Sequence, residues 1–121
     1  MMFRVLLGVA TLTGIQMAAT ASQAGQTGLA AMHDQRIVAG RLCFTDHTHV
    51  GTGLRAASKR EAISLAARDW SAFTAFEYGA DWAQWRVARN KKEKCQKSGG
   101  GYVCEVQAMP CLAKSVRSAT R

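Results

Sequence analysis

The residues from Cys43 to Gly53, CFTDHTHVGTG, gather a cysteine, an aspartate and two of the chain's three histidines. Neutral imidazole is a common ligand for zinc and copper. His47 and His49 are two positions apart, so they point to one side wherever the backbone is extended. Asp46 is placed to be a third ligand or an acceptor that orients an imidazole. On this spacing His47, His49 and Asp46 form a candidate site for Zn or Cu. The competing expectation is a polar loop in which the histidines hydrogen-bond locally or face water. His33, the remaining imidazole, falls in a stretch of small polar residues, 25–35, expected to be flexible and outside the domain.

Other chemistry finds less to build on. Ser58 is better placed as a helix cap than as a nucleophile, and the cysteines are better used as disulfides. A Ser-His-Asp arrangement would need a geometry that nothing in the spacing specifies. Glu61 belongs to the cap, while Asp69 and Glu77 fall at helical positions expected to be exposed. Glu77, between Phe76 and Tyr78, is the acid with the most apolar neighbours. The GTG at 51–53 is not a phosphate loop in any specific sense. No catalytic set stands out, and no cofactor is expected apart from the alternative of a bound metal.

Charge is the broadest hint about partners. The chain carries 16 Lys and Arg against 8 Asp and Glu, for a formal net charge of +8. Arg55, Lys59 and Arg60 flank the expected start of a helix, and Arg86, Arg89, Lys91, Lys92, Lys94 and Lys97 follow in one run. Free amides at a helix N-terminus with cations beside them suit a phosphate, sulfate or carboxylate. These nine residues are the candidate anion-binding set. In an exported protein the available partners would be anionic lipid, polysaccharide or acidic protein more than nucleic acid. The alternative is a solvated basic surface that aids solubility.

The elements that must position these groups begin after a leader. Arg4 and the apolar stretch from Val5 to Ala19, followed by small residues, read as a signal peptide over 1–24, cut after Ala21 or Ala24. The stretch is interrupted by Thr11, Thr13 and Gln16, too polar for a membrane span of about 20 apolar residues. An exported chain reaches an oxidising compartment, where four cysteines favour disulfides. Four cysteines allow three pairings. CQKSGGGYVC reads as a hairpin turning at Ser98 to Gly101, which sets Cys95 opposite Cys104 within bonding range. Cys43 is then left with Cys111.

RIVAGRLCF reads as a strand with a bulge at Gly40. Ser58 and Glu61 form a capping box, and Ala62, Ile63, Ala66, Ala67, Trp70, Phe73 and Phe76 recur at helical spacing. A helix from Lys59 to about Tyr78 follows, with Glu61, Ser64, Arg68 and Ser71 on the wet side and Gly79 as a left-handed stop. DWAQWRVARNKKEKC is taken as a strand, paired with the alternating YVCEVQAMPC. Trp70 is expected in the core, with Trp82 and Trp85 packed on the helix rather than exposed as a sugar platform. The expectation is an α+β domain over 36–111, one long amphipathic helix on a small antiparallel sheet in the order β-α-β-β, stapled by two disulfides. A flexible basic tail, 112–121, follows.

HTHVGTG, then FEYGADWAQW, then the cysteines around GGG and the final MPC, together resemble small exported bacterial proteins of uncharacterised function. The resemblance covers His47 to Cys111 and implies an exported helix-plus-sheet domain, with no catalytic residue. The leading expectation is therefore a secreted or periplasmic, non-enzymatic binding module with a basic surface. The alternative is a periplasmic metal-binding protein using the DHTH segment.

Overall fold

A computed structural model of the chain describes residues 27–114. The expected signal peptide and the tail beyond Lys114 lie outside the described residues. Helix α1 spans Lys59–Tyr78, as the spacing predicts. Ser58 caps it, its hydroxyl accepting from the Glu61 amide at 3.1 Å. Gly79 ends it at φ 99° and ψ 161°, an extended mirror-image conformation rather than the left-handed one expected. Only glycine adopts that region without strain.

The class is α+β and both disulfides are those expected, Cys43–Cys111 and Cys95–Cys104. The strands are more numerous than the sequence suggests and divide into two sheets. β1 (Gln35–Val38) and β2 (Arg41–Phe44) form a hairpin, so the expected single strand with a bulge is two strands. Ala39 and Gly40 both take positive φ, 48° and 77°, the conformation of a two-residue hairpin turn. The second sheet has the order β3-β5-β4, with β3 at His49–Thr52, β4 at Arg89–Ser98 and β5 at Gly101–Met109. Cys95 lies directly opposite Cys104 on the β4–β5 ladder.

Three further expectations are corrected. Ala80–Trp82 and Trp85–Val87 are short 3-10 turns rather than the beginning of a strand. The turns let Trp82 stack on Phe44, centroids 4.1 Å apart, while Trp85 meets Trp70 edge-on at 5.3 Å. A straight strand would present both indoles to fewer partners. Residues 27–35, expected to be loose, carry a 3-10 turn at Gly28–Met32 and are tied to the helix end, the Thr27 amide donating to the Tyr78 carbonyl at 2.9 Å. The start of the expected tail is held as well. The Leu112 amide donates to the Leu42 carbonyl and the Ala113 amide to that of Asp81, each at 2.8 Å.

The core has a main part and two smaller ones, one of them Cys43, Met109 and Cys111 around a disulfide. Ala62, Ala66 and Trp70 of α1 pack on Cys104, Val106 and Ala108 of β5. Beyond the helix C-terminus, Ala30, Phe44, Tyr78 and Trp82 form a second cluster. Close seating of α1 on the sheet depends on Gly51, where a Cβ would collide with the Ala66 carbonyl and the Trp70 backbone nitrogen. The buried stripe of the helix turns with its last two turns from the expected Phe73 and Phe76 to Thr74 and Tyr78, leaving Phe73 46% and Phe76 82% exposed. Among the described residues, no helix is long and apolar enough to cross a membrane.

Candidate metal centre

The histidine segment is not a loop throughout. β3 begins at His49 and pairs antiparallel with β5, His49 opposite Ala108. Its residues alternate inward and outward, so His49 and Gly51 face the helix while Val50 and Thr52 face away. The exposed end of the strand is secured from the helix, Asp69 accepting from the Thr52 amide at 2.8 Å. Asp69 thus has a structural use that helical spacing alone did not suggest.

His49 is 3% exposed and meets the polar residues of the α1 inner face. Thr74 donates its hydroxyl proton to the Trp70 carbonyl at 2.7 Å, and His49 Nδ1 lies 2.9 Å from the same hydroxyl oxygen. A hydroxyl has one proton, so toward His49 the oxygen accepts. With the Thr74 proton on the Trp70 carbonyl, the matching tautomer of His49 carries its proton on Nδ1 and leaves a lone pair at Nε2, the form a metal ligand takes.

Nε2 lies beside a carboxylate. His49 Nε2 is 3.0 Å from Glu77 Oε2, at the edge of hydrogen-bond geometry, and has no other partner. His47 Nε2 is also buried without a partner. The two imidazoles meet edge to face with centroids 4.7 Å apart. One ligand atom from each of His47, His49 and Glu77 lies within 4.8 Å of the others. Ligands of tetrahedral zinc, at about 2.0–2.1 Å from the ion, stand about 3.4 Å from each other. Small side-chain movements therefore bring the three onto one ion.

Burial, and then the neighbouring His47, hold His49 below the ordinary histidine range; Glu77 acts in the opposite direction. The favoured form of His49 is thus the neutral one whose lone pair is available. An unpaired buried polar nitrogen costs about 1–3 kcal/mol, and a cation held by His47, His49 and Glu77 would relieve that cost. Imidazole, imidazole and carboxylate suit zinc or copper.

Asp46 is not part of this group. Its carboxylate approaches His33 Nδ1 at 3.4 Å, while His33 Nε2 is 2.8 Å from the Tyr78 hydroxyl. The His33 ring stacks on His47 at 4.6 Å. The Tyr78 hydroxyl is pushed up to about 12, first by burial and then by the Glu77 carboxylate beside it. Asp46, His33 and Tyr78 thus form a polar wall next to the three candidate ligands. Glu77 joins the two histidines and His33 adjoins them, neither of which the sequence reading placed there. The available signal was the helix itself, since Trp70, Thr74 and Glu77 recur at i, i+4 and i+7 on one face.

The expected anion-binding residues fall in two places. Arg55 lies at the β4–β5 hairpin turn, its Nη1 donating to the Gly99 carbonyl at 3.0 Å, near exposed Lys59 and Arg60 at the helix start. Lys91, Lys92, Lys94 and Lys97 are exposed along β4, an edge strand, with Arg86 and Arg89 just before them. Lys91 Nζ stands 5.1 Å from the Trp85 ring centroid. Among the described residues, none of these cations has a carboxylate within ion-pairing distance.

No family model, no curated protein and no solved structure matches the chain.

Proposed function

We propose that the chain is an exported metal-binding domain in which His47, His49 and Glu77 hold one zinc or copper ion. One observation carries the reading: a buried imidazole held by Thr74 lies 3.0 Å from the Glu77 carboxylate, with a second imidazole nitrogen buried without a partner beside it. Two disulfides suit the oxidising compartment to which a cleaved signal peptide would deliver the chain, periplasmic or secreted. Asp46 serves in this reading as a support for His33, not as a ligand.

Native mass spectrometry of the chain with and without chelator, after exposure to zinc and to copper(II), tests the proposal. One ion per chain is expected, lost to chelator and absent from the His47→Ala/His49→Ala double variant. Uptake unchanged in that variant would remove the site. Glu77→Gln should weaken retention and Asp46→Asn should weaken it far less; the reverse order would restore the aspartate as the ligand.

A second reading rests on β4. Its lysines lie along a sheet edge without carboxylate partners, which supports a non-enzymatic binding surface for anionic lipid, polysaccharide or an acidic protein. Binding to anionic vesicles that falls as salt is raised is the expected result. No binding even at low ionic strength would dispose of the lipid version.

A further inference from the structure

We infer that the centre supplies only three protein ligands and keeps a coordination position for an exogenous anion with an apolar body, received against Phe73. The inference rests on the metal reading of His47, His49 and Glu77.

The nearest candidate for a fourth protein ligand is His33, stacked on His47. Both of its nitrogens are engaged, Nε2 with the Tyr78 hydroxyl at 2.8 Å and Nδ1 with Asp46 at 3.4 Å. Asp46 is drawn to His33 in the same contact. The four cysteines are all in disulfides. Among the described residues, only His47, His49 and Glu77 bring ligand atoms together. Zinc with three protein ligands is the arrangement that leaves a fourth position to water or another small molecule, whereas closed structural sites use four.

The side from which such a molecule arrives follows from exposure. His49 forms the closed back of the centre, with its side chain 2% exposed, while that of Glu77 is 32% exposed. Phe73, one helical turn before Glu77 on the same side of α1, lies with its ring 4.9 Å from the His49 ring and is nearly half exposed. Phe76, beside Glu77, is almost fully exposed. An anion whose charged end reaches the ion would lay its other end on the Phe73 ring. The chemistry that fits is a small monocarboxylate carrying an aromatic or aliphatic group.

Cobalt(II) replaces zinc for this test because its visible spectrum reports coordination number and ligand exchange. The cobalt-loaded full chain would be titrated with azide, acetate and benzoate, with cobalt retention followed by dialysis. Azide should change the spectrum, and benzoate should half-saturate at about tenfold lower concentration than acetate, the gain expected from covering a modest apolar area. In Phe73→Ala, with folding checked by its thermal midpoint, the benzoate preference should disappear while the azide response stays. A cobalt spectrum indifferent to all three anions overturns the inference and leaves the metal reading standing. Equal response to acetate and benzoate overturns the Phe73 contact. Failure to take up cobalt, zinc or copper at all removes the metal reading and this inference together.

Discussion

Nε2 of His49 and Oε2 of Glu77 stand 3.0 Å apart, while Nδ1 of the same imidazole is held at 2.9 Å by the Thr74 hydroxyl. The two residues are brought together by the seating of β3 on α1. Gly51 permits that approach, and the i, i+4, i+7 face of the helix delivers the hydroxyl and the carboxylate to the same place.

Thr74→Val removes the acceptor for His49 Nδ1 with little change in volume. Metal affinity should fall by about 10–100-fold, as for other residues that orient a ligand. The metal-free domain should lose about 1–3 kcal/mol from the buried donor left behind. Competition with a chromophoric chelator and urea unfolding measure the two effects. Unchanged affinity would mean that Thr74 does not set the tautomer.

Acid should destabilise the metal-free domain. His49 is held below its ordinary value of 6.5 in the folded state, first by burial. Above about 6.5 it is neutral in both states, and its full contribution is present. As pH falls below that value the unfolded chain takes up a proton that the folded one resists, so stability declines until the folded pKa is passed. Urea midpoints of the metal-free protein should fall between pH 7.5 and pH 5.5. His49→Gln should flatten that part of the profile, and a wild-type midpoint that rises over this interval would contradict the assignment.

Gly51→Ala should be costly out of proportion to one methyl group. The added Cβ meets backbone atoms of Ala66 and Trp70, which cannot move without shifting α1 from the sheet. A loss of about 1–3 kcal/mol is expected, typical of overpacking, together with weakened metal retention because His49 moves with β3. Thermal unfolding and metal retention, read on the same sample, check it. A stable variant with a damaged metal site would point instead to a local effect at β3.

The two disulfides should contribute unequally. Cys43–Cys111 spans 68 residues and Cys95–Cys104 only 9. Loop-closure entropy assigns about 4 kcal/mol to the longer loop and about 2.5 kcal/mol to the shorter. Paired Cys→Ala variants should lose stability in that order in urea. The 43/111 variant should also free the β1–β2 hairpin from the end of β5, and faster amide exchange in β1 and β2 would report it.

The amino-acid sequence by itself determined the parts governed by neighbours in the chain. Ser58 and Glu61 act three residues apart, so the helix start was legible, and Gly79 marked its end. The glycines at 99–101 turn one chain back on itself, which set Cys95 against Cys104 and left Cys43 for Cys111. The α+β class followed from these. Where a local signal had two outcomes, packing chose between them. Gly40 made a hairpin turn rather than a bulge, and the Trp82–Trp85 stretch coiled into 3-10 turns to seat its indoles.

Only the tertiary structure decided the candidate centre. His49 and Glu77 are 28 positions apart, and whether an imidazole in a polar segment is buried depends on how closely a helix elsewhere approaches it. Asp46 was the nearer acid in sequence, but it lies beyond the inward-facing end of β3 and reaches only His33. Glu77 lies almost one turn beyond Thr74 on the helix face that β3 meets, which sets its carboxylate against His49.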